Sequence, residues 1–276
     1  MQKHIRISLV IPVYNEESYL AACLRSALAQ RQPFDEVIVV DNNSSDATAR
    51  IVSQFPGVRL LYEPRQGVVH ARNRGFDAAS GEVIARIDAD TRLPDDWTMQ
   101  LTQSFAVETT AAVTGQISYY ETALPRLLSA SDSSARRAVA FLLGRNMALQ
   151  GANMALRRSV WLDVRGAICT QAGAHEDFDL AIHAVEQGHA VMYDADLHAE
   201  VAFRQAASTW RAFANYYWHC PKTYLDHGIM RGYWFVPVAF SMVVAYPLLH
   251  GLRRISMRQK WSQPLTVRVN PATFVD

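Results

Sequence analysis

The stretch Glu82-Val83-Ile84-Ala85-Arg86-Ile87-Asp88-Ala89-Asp90 decides the fold, because an apolar run ends in two aspartates one residue apart. Residues 82–85 have the composition of a buried β-strand, so both carboxylates fall where that strand enters a loop. Mg²⁺ and Mn²⁺ bind carboxylate oxygens and complete their shells with water and phosphate oxygens. The pair is therefore suited to bind a cation that carries a diphosphate. The alternative interpretation is that both aspartates lie in a solvated turn.

Three earlier segments repeat the order of apolar strand, polar tip and helix. The strands are predicted at residues 5–13, 37–40 and 58–62, and the helices at 20–28, from Ser44 or Ser45 to Phe55, and at 68–79. Strands alternating with helices predict βαβ units and a parallel sheet. The carboxyl ends of such strands share one edge of the sheet, where open α/β sheets bind ligands. We therefore expect the polar residues of these tips to lie together: Asn15, Asp41, Glu63, Asp88 and Asp90.

Five ordered motifs resemble those of family 2 glycosyltransferases, and the resemblance covers about residues 5–205. They are Ser8-Leu9-Val10-Ile11-Pro12-Val13-Tyr14-Asn15-Glu16, Val39-Val40-Asp41-Asn42-Asn43-Ser44-Ser45-Asp46, Ala71-Arg72-Asn73-Arg74-Gly75, Asp88-Ala89-Asp90 and His175-Glu176-Asp177-Phe178-Asp179-Leu180. The resemblance implies the GT-A fold, a Rossmann-like, mostly parallel α/β sheet flanked by helices, followed here by an aromatic, helical C-terminal appendage. It also implies a nucleotide-diphosphosugar donor, a divalent cation and inversion at the anomeric carbon.

The same resemblance assigns residues to the donor. Asp90 is expected to ligate Mn²⁺ or Mg²⁺, and Asp88 to lie nearer the ribose and the outer shell of that metal. Asp41 matches the acid that accepts a hydrogen bond from an imide nitrogen of the base. Uracil and thymine provide such a nitrogen, which favours a UDP-sugar. The segment after the first strand matches the nucleoside-facing part of the family, with Pro12, Tyr14 and Glu16.

Arg72 is a further expected donor contact. It lies one helical turn beyond Gly67, where a guanidinium can meet a phosphate in fork geometry. Arg65 offers the same chemistry from the preceding loop. A solvated surface charge is the alternative for both arginines, and it is the favoured interpretation for Arg65.

The acidic pair Glu176-Asp177 matches the motif that carries the catalytic base of the family. Asp177 is expected to take the proton from the acceptor hydroxyl, and Glu176 is the second candidate. Burial or a neighbouring carboxylate would raise the pKa of Asp177 toward the working range. The alternative is an ordinary acidic helix start, because Asp and Glu favour the first turn of a helix.

The spacing of the histidines and cysteines indicates neither a dedicated zinc site nor a set of disulfides. No pair among the nine histidines has the spacing and setting of a zinc site. His198 is the exception to watch, because a third metal ligand often follows the base in GT-A enzymes, although a strand-edge residue is the favoured interpretation. The three cysteines are far apart and odd in number, which suits a reducing compartment.

The composition predicts a compact enzyme of one large domain with an appendage. Half of the 276 residues are hydrophobic and 19% are charged, which is enough to bury a full core. The formal net charge of +1 does not indicate nucleic acid as a partner. We expect a catalytic domain over 1–205, with a nucleotide-sugar-binding half at 1–120 and an acceptor half with the base at 121–205, and a helical segment at 206–276.

The segment 232–252 carries no formal charge and is long enough to span a bilayer, but Pro237 and Pro247 interrupt it. The first strand begins almost at the N-terminus, so no signal peptide and a cytoplasmic catalytic domain are expected. Positive charges prefer the cytoplasmic side, and a basic cluster follows at once: Arg253, Arg254, Arg258 and Lys260. We therefore expect residues 232–260 to hold the enzyme at the inner membrane face without crossing it, as an interfacial helix or a short re-entrant hairpin. The expected apolar contacts are Trp234, Phe235, Val238 and Phe240. A packed subdomain or oligomer contact is the alternative.

The acceptor is expected to be a saccharide or a lipid-linked molecule. Residues 124–150 are helical in propensity and, by resemblance to the family, shape the acceptor pocket. The Gln-x-x-Arg-Trp motif of processive synthases is absent, since Arg204-Gln205 and Trp210 are too dispersed, which favours transfer of a single sugar. Two other classes remain. A non-catalytic nucleotide-sugar-binding subunit would lack the base, and a nucleotidyltransferase would carry a Gly-rich basic loop where Tyr14-Asn15-Glu16-Glu17 is acidic.

Overall fold

The computed structural model of the protein describes residues 4–143, 148–170 and 174–262. In these residues the strands are β1 (Ile7–Val13), β2 (Glu36–Asp41), β3 (Val58–Tyr62), β4 (Val83–Arg86), β5 (Thr91–Arg92), β6 (Ala112–Tyr120), β7 (Met154–Arg157) and β8 (Val191–Ala202). The helices are α1 (Leu20–Leu28), α2 (Thr48–Val52), α3 (Val68–Ala78), α4 (Trp97–Ala106), α5 (Pro125–Leu143), α6 (Arg158–Val164), α7 (Glu176–Glu186), α8 (Trp210–Asp226) and α9 (Val236–Ser262).

The eight strands form one mixed sheet in the order β3-β2-β1-β4-β7-β6-β8-β5. β3, β2, β1 and β4 pair in parallel, as the alternation of strands and helices predicts. β7 runs antiparallel to β4 and β6, and β5 runs antiparallel to β8, whereas β6 and β8 are parallel. The predicted mostly parallel α/β sheet flanked by helices is therefore confirmed.

Helices cover both faces of the sheet, which explains why β1, β2 and β4 are buried along nearly their whole length. On one face α3 and α6 bury Phe76 and Trp161, whose rings meet edge to face at 5.2 Å. On the other face α1 and α4 bury Leu24 and Trp97. This packing fixes the register of the strands and holds the carboxyl ends of β1, β2 and β4 at one edge.

The second helix is shorter than predicted, and neither Ser44 nor Ser45 caps it. Both serines bond instead to Asn15 in the loop after β1. The Asn15 N–H donates to Ser44 Oγ at 3.0 Å, and the Ser45 N–H donates to Asn15 Oδ1 at 2.8 Å. The polar tips of β1 and β2 are thereby tied together, and α2 begins only at Thr48.

The helical C-terminal appendage is confirmed. Phe213 of α8 packs against Tyr246 of α9 with ring centroids 5.0 Å apart, and Phe203 and Leu249 belong to the same apolar cluster. By length and composition, Met230–Ile255 is the one described helical stretch suited to cross a membrane, and little of it is buried against the rest of the protein.

Candidate active site

One cavity of about 520 Å³ lies between the sheet edge and the C-terminal helices. Asp88 and Asp90 line it from the loop after β4, and Asp177 lines it from the first turn of α7. The remaining lining is largely apolar and includes Tyr119, Phe203, Tyr216, Tyr217, Met242 and Leu249. The predicted metal motif and the predicted base therefore face the same volume.

Asp90 belongs to a cluster of three carboxylates beside the ends of β1 and β4. Burial raises the pKa of Asp90 to about 7, and the charges of Asp88 and Glu16 act in the same direction against Arg204. Burial also raises the pKa of Glu16. Neighbouring carboxylates that are shielded from water repel one another. They therefore attract cations. Asp88 and Asp90 therefore offer the oxygen donors for the predicted Mn²⁺ or Mg²⁺.

Arg204 supplies the positive charge in this cluster, a role that its place in the sequence does not indicate. Its Nε donates to Asp90 Oδ2 at 2.5 Å, and its Nη1 donates to both carboxylate oxygens of Glu16, at 2.9 and 2.7 Å. These partners are 114 and 188 residues away in the sequence. The one indication in the sequence is that an arginine closely follows the end of a buried strand. No neighbouring residue in the sequence indicates its partners.

Arg86 is a second site residue for which no role is predicted above, although it stands inside the stretch Glu82–Asp90. Its side chain is only 2% exposed. Its Nη1 donates to Asp177 Oδ1, and its Nη2 donates to Asp88 Oδ1 at 3.1 Å and to Glu176 Oε1 at 3.3 Å. One guanidinium therefore links the metal motif to the base motif. A charged residue within an apolar strand requires buried partners, and that was the signal in the sequence.

Both carboxylate oxygens of Asp177 are held. Arg86 contacts Oδ1, and the Gly151 N–H donates to Oδ2 at 2.7 Å. A Cβ at residue 151 would lie 2.3 Å from Arg86 Cζ, so any other residue there would displace this guanidinium. Burial raises the pKa of Asp177, opposed by Arg86 and reinforced by the charge of Glu176. Burial acts on Glu176 too, but Arg86 and other nearby cations hold its pKa below the ordinary value.

We expect Arg86→Gln to lower the free energy of unfolding by about 3–5 kcal/mol, because it leaves buried carboxylates without their counter-charge. Urea unfolding measures this loss. The matched control is Arg31→Gln, which breaks an exposed ion pair with Asp95 and should cost at most about 1 kcal/mol. Equal losses in the two variants would show that the Arg86 network contributes no more than a surface pair.

Arg72 does not face an open phosphate position. Its side chain is fully buried, Nη1 donates to the main-chain oxygen of Glu176 at 2.6 Å, and Nε and Nη2 donate to Asn73 Oδ1 at 3.1 and 2.9 Å. This geometry contradicts both the phosphate contact and the solvated charge, because the guanidinium is sealed against the first turn of α7. Arg65 is exposed and pairs with Glu63 at the tip of β3.

The residues matched to the nucleoside lie at the tips of β1 and β2. Glu16 joins the carboxylate cluster through Arg204, whereas Tyr14 is half exposed and Pro12 lies within β1. Asp41 ends β2, is buried, and accepts a hydrogen bond from the Ser44 N–H at 3.0 Å. The structure brings Glu16 to the metal motif, and the nucleoside roles of the others stay predictions.

His198 has the environment of an ordinary strand residue. It lies within β8, and its Nε2 is 2.9 Å from the Oγ of Ser118 on the neighbouring strand β6. Among the described residues, its side chain has no contact with Asp90 of the kind that a shared metal would require. The strand-edge interpretation therefore accounts for this histidine.

The mixed sheet with helices on both faces has the architecture of the GT-A fold. The family model of glycosyl transferase family 2 matches residues 8–164, more than half of the chain, and the protein belongs to that family. The predicted family, fold class and enzyme class are thereby confirmed.

Among curated relatives, glycosyltransferase AglE of Haloferax volcanii is 37% identical over 98 residues, which span 33% of this chain and only 32% of AglE. Among solved structures, the mannosyltransferase PcManGT from Pyrobaculum calidifontis, in complex with GDP-Man and Mn²⁺, has a TM-score of 0.63 at 20% identity and covers 95% of this chain and 77% of its own. TarS of S. aureus, in complex with UDP-GlcNAc, has a TM-score of 0.60 at 18% identity and covers 80% and 66%.

Proposed function

We propose that the protein transfers a single sugar from a nucleotide-diphosphosugar, with UDP as the expected nucleotide, to an acceptor hydroxyl with inversion at the anomeric carbon. The observation that carries this proposal is that Asp177 lines the same cavity as Asp88 and Asp90. An inverting displacement needs a base on one side of the anomeric carbon and charge stabilisation on the other, and these residues supply both to one volume.

Asp177 accepts the proton of the acceptor hydroxyl as that oxygen attacks the anomeric carbon. Arg86 and the Gly151 N–H fix the orientation of its carboxylate. Arg72 holds the main chain at Glu176 and so positions the first turn of α7. Within the described part of the chain, Asp177 lines the cavity and Glu176 does not, which supports Asp177 as the base and Glu176 as its neighbour.

Asp90 and Asp88 would hold the divalent cation, Mn²⁺ or Mg²⁺, and PcManGT binds Mn²⁺ in its complex. When bound, the cation neutralises the charge that grows on the departing diphosphate. Arg204 lies in the same cluster and can donate hydrogen bonds to a phosphate when its pairing with Glu16 and Asp90 is exchanged.

The donor is tested by a screen of UDP-, TDP- and GDP-sugars with Mn²⁺, Mg²⁺ or chelator, using hydrolysis and equilibrium binding as readouts. We expect metal-dependent binding of a UDP- or TDP-sugar, because we assign Asp41 as the acceptor of the imide N–H of the base. The solved neighbours bind different nucleotides, GDP-Man in PcManGT and UDP-GlcNAc in TarS. Tighter binding of GDP than of UDP would refute the base assignment, and retention at the anomeric carbon of the product would refute inversion.

The part of the cavity that is lined by α8 and α9 suits an acceptor with an apolar portion. Its lining from α8 and α9 is aromatic and aliphatic, including Tyr216, Tyr217, Met242 and Leu249. Apolar walls with a few polar groups favour the burial of a hydrocarbon portion over a fully hydroxylated saccharide. We therefore favour a lipid-linked acceptor within the predicted acceptor classes.

Peripheral attachment to the inner membrane face is supported by the exposed side of α9. Apolar side chains follow one another there at helical spacing, with exposures of 69% for Phe240, 63% for Val244, 66% for Leu248 and 51% for Ile255. Trp234 and Val238 are exposed as expected. Such a stripe beside an apolar acceptor cavity suits an enzyme that takes its acceptor from a lipid surface.

Two of the predicted membrane contacts are corrected. Phe235 is buried and stacks on Tyr224 with ring centroids 4.9 Å apart, because its turn packs against α8. Arg253 is 16% exposed and pairs with Glu121 at 3.5 Å, so its charge is directed to the protein. Arg254 is exposed, and the side chains of Arg258 and Lys260 lie outside the described part of the chain.

We expect the double variant Phe240→Glu, Leu248→Glu to bind vesicles with anionic lipid at least tenfold more weakly, because each side chain loses about 1.5–3 kcal/mol of apolar burial. Vesicle co-sedimentation measures the change. Met99→Glu with Leu162→Glu, at exposed positions on α4 and α6, is the matched control and should bind like wild type. An equal loss in the control, or a C-terminal tag reached by protease only from outside the cell, would contradict attachment without crossing.

A further inference from the structure

A second group of metal-type ligands lies on the same helix as the acidic pair. Asp179 and His183 are one turn apart on α7, His227 directly follows α8, and Cys169 lies in the loop after α6. One donor atom from each side chain lies within 4.8 Å of the other three. No pair of histidines has the sequence spacing of a zinc site, because the side chains of this cluster come from three separate elements.

The distances among three of the donor atoms are close to those in a tetrahedral shell. Asp179 Oδ1 lies 3.4 Å from His183 Nε2 and 3.1 Å from His227 Nε2, and the two Nε2 atoms are 3.4 Å apart. Nitrogen and oxygen ligands about 2.0–2.1 Å from zinc, at tetrahedral angles, are separated by about 3.3–3.4 Å. The three atoms already stand close to the separation that a shared zinc imposes.

The outer nitrogens of both imidazoles fix which nitrogen faces the cluster. His227 Nδ1 lies 2.8 Å from the main-chain oxygen of Thr223, and His183 Nδ1 lies 3.2 Å from a carboxylate oxygen of Glu186. Both partners only accept hydrogen bonds, so each Nδ1 carries a proton, and each Nε2 of a neutral ring presents a lone pair. Carbonyl and carboxylate partners of this kind orient histidine ligands in metal sites.

Asp179 is a buried carboxylate with an unsatisfied oxygen. Its side chain is 0% exposed. Its Oδ2 accepts a hydrogen bond from the Cys169 N–H at 3.0 Å, whereas its Oδ1 has no hydrogen-bond partner in the described part of the chain. When both rings are neutral, Oδ1 and the two Nε2 lone pairs are all acceptors that face one another. Such an arrangement is unfavourable unless a proton or a cation lies between them.

We propose that Cys169, Asp179, His183 and His227 bind one Zn²⁺ ion as a closed structural site. A thiolate, a carboxylate and two neutral imidazoles match the ligand preference of zinc, and the two negative charges balance those of the ion. Because four protein ligands fill the tetrahedral shell, no position is left for a substrate.

Zinc binding is coupled to loss of the thiol proton. Partial desolvation of the sulfur and the neighbouring Asp179 raise the pKa of the Cys169 thiol to about 11 in the metal-free chain. The thiol therefore releases its proton to solvent when the sulfur binds the ion. The ion then ties α7, which begins with Glu176-Asp177, to the end of α8 and to the loop after α6. It is a positioning element for the base and is separate from the proposed donor metal.

The test uses the purified full chain without donor. We expect one zinc per chain by elemental analysis, and a Tm that falls on removal of the metal. Re-addition of zinc at about 1,000 times its Kd should raise the Tm by about 8–16 °C. Co²⁺ in place of zinc should give a sulfur-to-cobalt charge-transfer band. Folded wild-type chain that holds no zinc, and whose Tm does not respond to added zinc, would overturn the proposal and assign the cluster to a protonated His-Asp pair.

The variants separate this site from other histidine contacts and from the donor metal. His227→Ala should lose the zinc, whereas His189→Ala, which breaks a surface contact with Asp163, should keep it. Cys169 lies at an exposed position in a loop, so Cys169→Ser should fold even if His227→Ala does not. We expect Cys169→Ser to lose the charge-transfer band and to bind zinc more weakly. Asp90→Asn should retain one zinc even if it abolishes transfer. Unchanged zinc affinity in Cys169→Ser would refute the four-ligand site.

Discussion

Asp177→Asn is expected to lower the turnover number by about 10² to 10⁴ and to leave donor affinity nearly unchanged, as is typical when a general base is removed. The amide keeps the size of the carboxylate and can still accept the Gly151 N–H. Arg86 retains Asp88 and Glu176 as partners, so the fold survives. Turnover is measured by product formation, and donor affinity by calorimetric titration with the nucleotide sugar.

Glu176→Gln is the matched control, because it removes the adjacent carboxylate from the same guanidinium. It should reduce turnover less than Asp177→Asn. If the two effects are reversed, Glu176 is the base. The pH dependence gives a second readout. Burial raises the pKa of Asp177, so the acid limb of kcat/KM should lie above the ordinary value of 3.8 in wild type. This limb should be absent from the residual activity of Asp177→Asn.

Local sequence patterns predicted the strands and helices of the donor half. The third strand is found at Val58–Tyr62, as predicted, and the third helix ends within one residue of its prediction. Strands buried on both faces leave a continuous apolar signal, and their polar tips must then meet at one edge. Asp88 and Asp90 could be placed for that reason alone, before any resemblance to a family was considered.

The residues that connect the motifs could not be placed from the sequence. Arg86 meets Asp177 across 91 residues and Arg204 meets Asp90 across 114, and no periodicity encodes such pairings. Arg72 was misjudged for the same reason, since its position on a helix after a glycine says nothing about what covers it. The pairing depends on β7 and β8, which bring distant parts of the chain to the sheet edge.

The proposed zinc site shows a different limit of sequence reasoning. The spacing of Asp179 and His183 is that of one helical turn, which many solvated helices share. Only the position of His227 at the end of α8, and of Cys169 after α6, turns this spacing into a four-ligand cluster. A ligand set contributed by three elements carries no motif, so it becomes visible only when the packing of α7 against α8 is known.

Asp90→Asn is expected to abolish metal-dependent donor binding and to lower transfer on the order of 10³-fold, which corresponds to loss of several kcal/mol of transition-state stabilisation. The carboxylate that would anchor the cation is replaced by a neutral amide of the same size. Donor binding is measured with and without Mn²⁺. Asp95→Asn, in an exposed ion pair with Arg31, is the matched control and should behave like wild type. Added Mn²⁺ should not rescue Asp90→Asn.

The stability of the same variant distinguishes a lost ligand from a damaged fold. The pKa of Asp90 is raised in the folded state from an ordinary 3.8 to about 7. The folded chain therefore holds this proton more tightly than the unfolded chain does. The resulting stabilisation is complete below pH 4 and is lost as the pH rises through 7. Asparagine does not ionise, so urea unfolding of Asp90→Asn should lack this decline and show no loss of stability at pH 7 relative to wild type. A variant that is inactive and also less stable at pH 7 would place Asp90 in the support of the fold, and the metal assignment would then lose its ground.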